Sequence, residues 1–306
     1  MKKLDKWLVN TYSIDCFIDF EDLYSYRGIG ASKQELLKVD KLIKQYINHF
    51  DSENVDRKYK VGLELTNIYA TDAWRSWWHS TRRAWLIDSL SFCSSIISSI
   101  SKSKNDFKVI DVGCNVGIFS NYLSENYSIN VTGIDVSRVA ISAANKFKKS
   151  VKVTFLESSL EECNSGNEWD LVIAVDFVQP NEHNFVSLME MIGSLVKSNG
   201  HLIVVGNFID VENIDEFFRS IGFSCLGAQL TGGYQQGHSD GFSVDWSTKA
   251  ALHFKKNIKL KSVNLPISDR MNDFATYANS GEFLPRELNR SYFLPRISKN
   301  LINLEL

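Results

Sequence analysis

The sequence lacks the features typical of a membrane protein, of a secreted protein and of a strongly basic nucleic-acid-binding protein. It contains no run of about 18 apolar residues, the length that a helix needs to cross a bilayer. Its 34 basic and 36 acidic side chains leave a formal net charge of −2, which argues against a polyanionic partner but leaves nucleic acid open as an alternative. The basic N-terminal residues have no continuous apolar core and therefore do not resemble a secretion signal. We expect a cytoplasmic protein with no membrane partner.

Cysteines are few and show no paired spacing that would indicate a metal site or a disulfide framework. The five thiols are scattered along the chain: Cys16, Cys93, Cys114, Cys163 and Cys225. An odd, unpatterned set of this kind is typical of free thiols in a reducing compartment. We expect no structural metal in this protein.

The strongest signal in the sequence is the stretch 108–117, Lys-Val-Ile-Asp-Val-Gly-Cys-Asn-Val-Gly. An apolar run ends in Gly113 and Gly117, and a helical pattern follows, which predicts a buried parallel strand, a tight turn and a helix. Glycine lets a ligand approach the backbone closely because it has no Cβ. Asp135 ends the next apolar strand, about 20 residues further on, where an acid can bind ribose hydroxyls. The pattern predicts a site for a nucleoside-containing cofactor.

Strand and helix patterns alternate through the middle of the chain, which predicts an α/β fold with a mostly parallel sheet and helices on both of its faces. Seven strands are predicted, at 108–112, 130–135, 151–157, 170–175, 201–206, 223–230 and 249–256, and helices between them at 117–126, 137–148, 182–197 and 211–221. We expect a helical N-terminal cap over 1–104, a core domain over 105–256 and a C-terminal extension over 257–306. The charged segment 52–60 is predicted to be an exposed link, and the glycine-rich segment 232–241 a flexible loop.

The spacing Gly113-x-x-x-Gly117 departs from the G-x-G-x-x-G fingerprint of dinucleotide-binding proteins. Residues 109–117 instead resemble the first motif of the class I S-adenosylmethionine-dependent methyltransferases, an acid followed by G-x-G-x-G. Asn115 replaces the middle glycine, and asparagine tolerates a left-handed backbone. The resemblance covers about 108–256 and includes the segments 169–176 and 197–205. It implies a Rossmann-like class I methyltransferase fold whose seventh strand is antiparallel.

The resemblance also implies that S-adenosylmethionine is the cofactor, and it assigns the residues that bind it. The implied cofactor-binding residues are Asp111, Gly113, Cys114, Asn115, Gly117, Asp135, Val136, Ser159, Leu160 and Asp176. Asp111 would face the methionine amino group, Asp135 the ribose hydroxyls, and Val136 the adenine ring. Ser159 stands where the family often has an acid for the adenine amine, so this contact stays open. Simpler alternatives are that Asp111 only orders the turn and that Asp176 caps the following helix.

The methyl acceptor is less well defined, and four residues are candidates for the general base that a hydroxyl acceptor needs: Asp176, His183, His238 and His79. Each histidine has an ordinary surface or packing role as its alternative. Asp176-Phe-Val-Gln-Pro is not the motif of amino-methylating DNA enzymes, and no cysteine follows it, which disfavours a DNA base as acceptor.

The segment 74–85 holds four of the seven tryptophans and offers candidate substrate residues. We predict that Arg75, Trp78 and Arg82, with Tyr234 from the glycine-rich segment, contact the substrate as an aromatic lid with an anion-binding arginine. The alternative, which we favour for most of these residues, is a helix packed on the sheet through its tryptophans.

Three functions remain open at this point. The first is methyl transfer to oxygen or nitrogen of a small molecule with an aromatic or acidic part. The second is modification of a tRNA wobble uridine, because the Trp-Arg-Ser segment ahead of the Gly-Cys-Asn turn weakly resembles such transferases. The third is cofactor binding without turnover. The oligomeric state stays open, a homodimer included.

Overall fold

The computed structural model describes the chain between residues 2 and 257, with gaps. The described residues are 2–12, 33–48, 55–72, 74–75, 79, 83–101, 106–163, 168–177, 185–206, 208, 214–231, 234–237, 244–247 and 249–257. Four predicted site residues, Trp78, Arg82, His183 and His238, lie outside these ranges, as does the predicted C-terminal extension after residue 257. The four cysteines within the described ranges are free thiols, as predicted.

Nine strands are described, and seven of them form the central sheet. They are β1 (Lys108–Val112), β2 (Asn130–Asp135), β3 (Val153–Glu157), β4 (Trp169–Val175), β5 (Val196–Gly206), β6 (Phe223–Leu230), β7 (Tyr234–Gly237), β8 (Val244–Ser247) and β9 (Ala250–Lys256). The sheet order is β3-β2-β1-β4-β5-β9-β6. The pairs among β1 to β5 are parallel, whereas β9 runs antiparallel to both β5 and β6. The predicted class I methyltransferase sheet, including its antiparallel last strand, is confirmed.

The described helices are α1 (Lys2–Tyr12), α2 (Lys33–Asn48), α3 (Val55–Tyr69), α4 (Arg83–Ile100), α5 (Ile118–Tyr127), α6 (Arg138–Phe147), α7 (Phe185–Leu195) and α8 (Ile214–Ser220). Helices α1, α4, α5 and α6 share a buried cluster with Val109 on one face of the sheet. Helices α7 and α8 pack with Ile110 and Val112 on the other face. Successive β1 side chains alternate between the two clusters, as a strand covered on both faces requires.

Two predictions about connecting segments are wrong. Most of the segment 52–60 is not a link, because α3 begins at Val55. The glycine-rich segment 232–241 is not simply a loop, because β7 within it pairs with β8 in an antiparallel hairpin that aligns Gln235 with Trp246. The charged residues of the first segment and the glycines of the second favour irregular structure, but tertiary contacts stabilise a helix in the first and a strand in the second. None of the described helices combines the length and the apolar character that crossing a bilayer requires.

The N-terminal helices share the core of the sheet. Leu8 of α1 and Leu90 of α4 are fully buried in the cluster that contains Val109. Trp7 of α1 donates its indole N–H to the Glu125 carboxylate of α5 over 2.9 Å. These contacts place α1 beside the helix that follows the glycine turn. The boundaries proposed at residues 104 and 256 stay predictions.

Candidate active site

The turn between β1 and α5 takes a left-handed backbone at three of its five residues. Gly113 has φ of 70°, Asn115 of 49° and Gly117 of 77°. A Cβ at Gly113 would overlap the Phe177 ring, and one at Gly117 would lie 2.5 Å from Cζ of Phe155. Both positions therefore require glycine. Asn115 tolerates its conformation because its side-chain oxygen accepts a hydrogen bond from the backbone amide of Val116 over 2.7 Å.

Asp135 joins the end of β2 to this turn. One carboxylate oxygen accepts from the backbone amide of Asn115 over 2.9 Å, and the other from the amide of Ser137 over 2.8 Å. Burial raises the pKa of Asp135, and the two amides act in the opposite direction. A carboxylate has about four lone-pair sites, so each oxygen keeps one for a ribose hydroxyl. The donor and acceptor chemistry at this position fits a nucleoside.

Asp111, the acid of the first motif, is 2% exposed. Its carboxylate accepts from the Ser120 hydroxyl over 2.6 Å, which ties β1 to the first turn of α5. Burial raises the pKa of Asp111 to about 6, and the negative charge of Asp135 adds to the increase. A cationic amino group placed nearby would stabilise the ionised form. The bond to Ser120 supports the alternative in which Asp111 orders the turn, and its contact with the cofactor stays a prediction.

The remaining predicted cofactor residues lie along the same edge of the sheet. The backbone amide of Cys114 donates to Ile134 over 2.9 Å, which presents the turn beside the end of β2. Val136 is 37% exposed and Leu160 is buried. The Ser159 backbone amide donates to the Glu162 carboxylate over 2.9 Å. An acid therefore lies close to Ser159, which stands where the family often has an acid.

Asp176 follows β4 directly and adopts an unusual conformation. Its φ is 55°, and its amide donates to the Val205 carbonyl over 2.7 Å. Its carboxylate forms an ion pair with the ammonium of Lys249. Lys249 precedes β9, which is antiparallel, so Lys249 lies at the edge where the parallel strands end. Motif comparison missed Lys249, although a lysine just before the apolar start of a predicted last strand was a usable signal.

Two residues of the N-terminal helices also reach this edge and were not predicted. The Tyr12 hydroxyl donates to the Val116 carbonyl in the glycine turn over 3.3 Å and accepts from the Asn121 amide over 2.7 Å. Asn67 of α3 accepts from the Ser137 hydroxyl over 2.6 Å, two residues after Asp135.

Arg75 and Tyr234 are the two predicted substrate residues within the described ranges. The Arg75 guanidinium donates to Asp72 over 2.6 Å and lies 4.4 Å from the ring centroid of Phe147. Arg75 is 6% exposed. Its burial and its contacts with Asp72 and Phe147 are those expected if this segment packs against the rest of the protein. The backbone of Tyr234 lies in β7. The substrate role of both residues, and of the residues outside the described ranges, stays a prediction.

Sequence comparisons agree with this geometry. A family model described as a methyltransferase domain matches residues 109–200. Residues 109–200 thus match a methyltransferase domain, and the strands of the sheet have the order and directions of the predicted class I fold. The glycine turn and Asp135 fit S-adenosylmethionine, the predicted cofactor, because they offer backbone and carboxylate partners for its nucleoside.

The methyltransferase domain resembles curated O-methyltransferases over part of their length. The ubiquinone biosynthesis O-methyltransferase of Rickettsia felis is 32% identical over 114 residues, which cover 36% of this chain and 46% of the relative. Its counterpart in Rickettsia canadensis is 30% identical over 114 residues, with 36% and 48% covered. The chain thus spans about half the length of the curated relatives it matches.

A solved structure, the magnesium protoporphyrin IX methyltransferase of Synechocystis PCC 6803 with bound S-adenosylmethionine, aligns with 71% of this chain and 97% of its own. The identity is 17% and the TM-score is 0.45. The fold assignment follows from the order and direction of the strands.

Proposed function

We propose that this protein transfers the methyl group of S-adenosylmethionine to an oxygen atom of a small-molecule acceptor. The observation that carries the proposal is the Asp135 carboxylate, which is held against the glycine turn by the Asn115 amide. This bond fixes the turn and the ribose-binding acid relative to each other before any ligand binds, which reduces the ordering cost of binding. Oxygen as the acceptor atom is supported by the relatives, which are named O-methyltransferases.

In this proposal, each residue of the edge has a separate task. Asp135 accepts hydrogen bonds from the ribose, the backbone of Gly113 and Asn115 lines the methionine and ribose portion, and exposed Val136 packs on the adenine. Asp176 faces the acceptor. The sulfonium of the cofactor supplies an electrophilic methyl group, so the protein contributes mainly by holding the acceptor oxygen in line with it.

Calorimetry of S-adenosylmethionine binding to wild type, Asp135→Asn and Asp106→Asn tests the cofactor site. Asp106 is a matched control because its carboxylate also accepts an amide hydrogen bond, from the Asn130 side chain, but precedes β1 at the opposite edge of the sheet. We expect Asp135→Asn to weaken binding at least tenfold, because an amide cannot accept through both of its ends, and Asp106→Asn to bind as wild type. Equal affinity in all three proteins would refute the site.

The acceptor class is tested by incubating the protein with methyl-labelled cofactor and either a metabolite extract or bulk tRNA. Label in the small-molecule fraction is the expected result. Label in tRNA would replace the proposal with the tRNA alternative. Cofactor binding without label in either fraction would favour the non-catalytic alternative.

A further inference from the structure

Two polar groups on helix α4 have no hydrogen-bond partner among the residues that the structure describes. They are Nε1 of Trp85 and Oγ of Ser89, whose residues are 5% and 0% exposed. Two other serines of the same helix, Ser95 and Ser99, each donate to the carbonyl three residues earlier, over 2.8 Å and 2.7 Å. Buried polar groups are rarely left unpaired, because nothing then compensates their loss of water. Trp85 and Ser89 therefore offer two donors to a ligand.

Trp85 and Ser89 lie between the acid of the first motif and the edge of the sheet where the parallel strands end. Their spacing of four residues places them on one side of α4, and Cys93 lies one turn further along that side. Burial raises the pKa of the Cys93 thiol and the negative charge of Asp111 raises it further, so this part of α4 lies near Asp111. In the other direction, the Trp85 ring centroid lies 5.1 Å from Nζ of Lys249.

The methionine portion of S-adenosylmethionine needs partners for two charged groups. Its amino group and its carboxylate are attached to the same carbon atom, so the residues that bind them must be neighbours. Asp111 is the predicted partner of the amino group, and at 2% exposed it lies where solvent scarcely reaches. A carboxylate bound beside it is also removed from water and therefore requires hydrogen-bond donors from the protein.

The chemistry of the two groups on α4 suits a carboxylate. An indole N–H donates and cannot accept, so Trp85 can pair with a carboxylate oxygen and cannot pair with an ammonium group. The Ser89 hydroxyl has one proton to donate, and a carboxylate has lone pairs for both donors. Hydrogen bonds to an ionised acceptor are the stronger kind, and a site from which water is excluded strengthens them further.

We propose that Trp85 and Ser89 bind the carboxylate of the methionine portion of S-adenosylmethionine, through the indole N–H and the hydroxyl, beside Asp111. This inference rests on the proposed function, because it takes the cofactor site as given. It assigns the last residue of the tryptophan-rich segment 74–85 to the donor side of the reaction.

Calorimetry with S-adenosylhomocysteine and with methylthioadenosine isolates this contact. The second compound keeps the nucleoside and the sulfur atom but lacks the amino acid end. We expect Trp85→Phe to raise the Kd of S-adenosylhomocysteine by about tenfold or more, and Ser89→Ala by about fivefold, because each loses a hydrogen bond to a charged group. The Kd of methylthioadenosine should keep its wild-type value in both variants, which also shows that they are folded.

Trp169→Phe and Ser95→Ala are matched controls. Nε1 of Trp169 is also buried with no partner in the described part of the chain, but Trp169 begins β4 at the opposite edge of the sheet. Ser95 lies on α4, and its hydroxyl is paired within the helix. Both controls should bind both compounds as wild type does. An unchanged Kd of S-adenosylhomocysteine in Trp85→Phe and Ser89→Ala, or equal weakening of both compounds, would overturn the inference.

Proton–nitrogen NMR spectra of protein with isotope-labelled tryptophan observe the indole N–H directly. The signal that is missing from Trp85→Phe belongs to Trp85. We expect S-adenosylhomocysteine to move this proton downfield and methylthioadenosine to leave it in place. The same response to both compounds would contradict the contact.

Asp135→Asn separates this inference from the proposed function, because it should weaken the binding of both compounds. If it does so while Trp85→Phe and Ser89→Ala leave both affinities unchanged, the carboxylate assignment alone has failed. Failure of the wild-type protein to bind either compound would refute the proposed function, and this inference with it.

Discussion

Replacement of Tyr12 by phenylalanine removes one oxygen atom from the contact between α1 and the glycine turn. The Tyr12 side chain is fully buried, and its hydroxyl connects the Val116 carbonyl to the Asn121 side chain. Burial raises the pKa of Tyr12, so the hydroxyl remains protonated and able to donate at any ordinary pH. The effect of the substitution should therefore not depend on pH between about 6 and 9.

The expected size of the effect follows from the two partners. A buried polar group left without a hydrogen bond costs about 1–3 kcal/mol. The bond to Val116 is long at 3.3 Å, whereas the bond from Asn121 is short at 2.7 Å, so the two will not contribute equally. We expect the free energy of unfolding to fall by about 2–3 kcal/mol. If Val116 loosens before ligand binds, its reordering costs about 1–2 kcal/mol, which corresponds to a 5- to 30-fold rise in the Kd for S-adenosylmethionine.

Calorimetry of cofactor binding, together with urea unfolding, measures both quantities for Tyr12→Phe. Trp7→Phe is the matched control because it removes the bond from α1 to Glu125, which does not touch the glycine turn. The control should lose stability and keep its affinity for the cofactor. If Tyr12→Phe also keeps wild-type affinity while it loses stability, Tyr12 is a packing residue and the reasoning about the turn is wrong.

Two buried titratable groups, Asp111 and His253, should make the free energy of unfolding of the ligand-free protein depend on pH in opposite directions. Urea unfolding between pH 4 and 7 measures both effects. Burial raises the pKa of Asp111 to about 6. The folded protein therefore holds this proton more tightly than the unfolded chain, and about 3 kcal/mol of stability is lost as the pH rises from about 4 to 6, a loss that Asp111→Asn should abolish. Burial lowers the pKa of His253 to about 4, and the stacked His201 ring adds to the effect. The unfolded chain binds this proton more tightly, so about 3 kcal/mol is lost as the pH falls from about 6.5 to 4, a loss that His253→Gln should remove. Variants that both follow the wild-type pH dependence would contradict these assignments.

The sequence was sufficient for the features that depend on local pattern. The seven strands of the central sheet were predictable because each contains a short apolar run bounded by turns, and the left-handed turn was predictable because Gly113 and Gly117 are the residues that tolerate it. The antiparallel direction of β9 came from the family resemblance, since a short apolar run carries no information about direction. Helix α3 was missed because its first residues are charged, although its later turns place Val61 and Leu65 on one buried side.

Contacts between distant parts of the chain could not be predicted in the same way. Lys249 and Asp176 are 73 residues apart, and Tyr12 and Asn121 are 109 residues apart. No sequence periodicity relates the two members of such a pair. A lysine or a tyrosine in an apolar stretch of sequence does not by itself indicate which residue it will contact. The glycine turn and Asp135 belong to a local sequence motif and could be predicted. The Asp176–Lys249 pair and the contacts of Tyr12 depend on tertiary packing and could not.

The N-terminal contacts imply that cofactor binding and the docking of the N-terminal helices are coupled. Tyr12 of α1 donates a hydrogen bond to the carbonyl of Val116 in the turn, and Asn67 of α3 accepts one from the hydroxyl of Ser137, two residues after Asp135, the acid proposed to bind ribose. A ligand that orders these two segments stabilises the surfaces on which α1 and α3 rest. Coupling between two equilibria is reciprocal, so the factor by which the cofactor favours docking equals the factor by which docking favours the cofactor. We therefore expect helices α1 and α3 to contribute to the affinity for the cofactor through Tyr12 and Asn67.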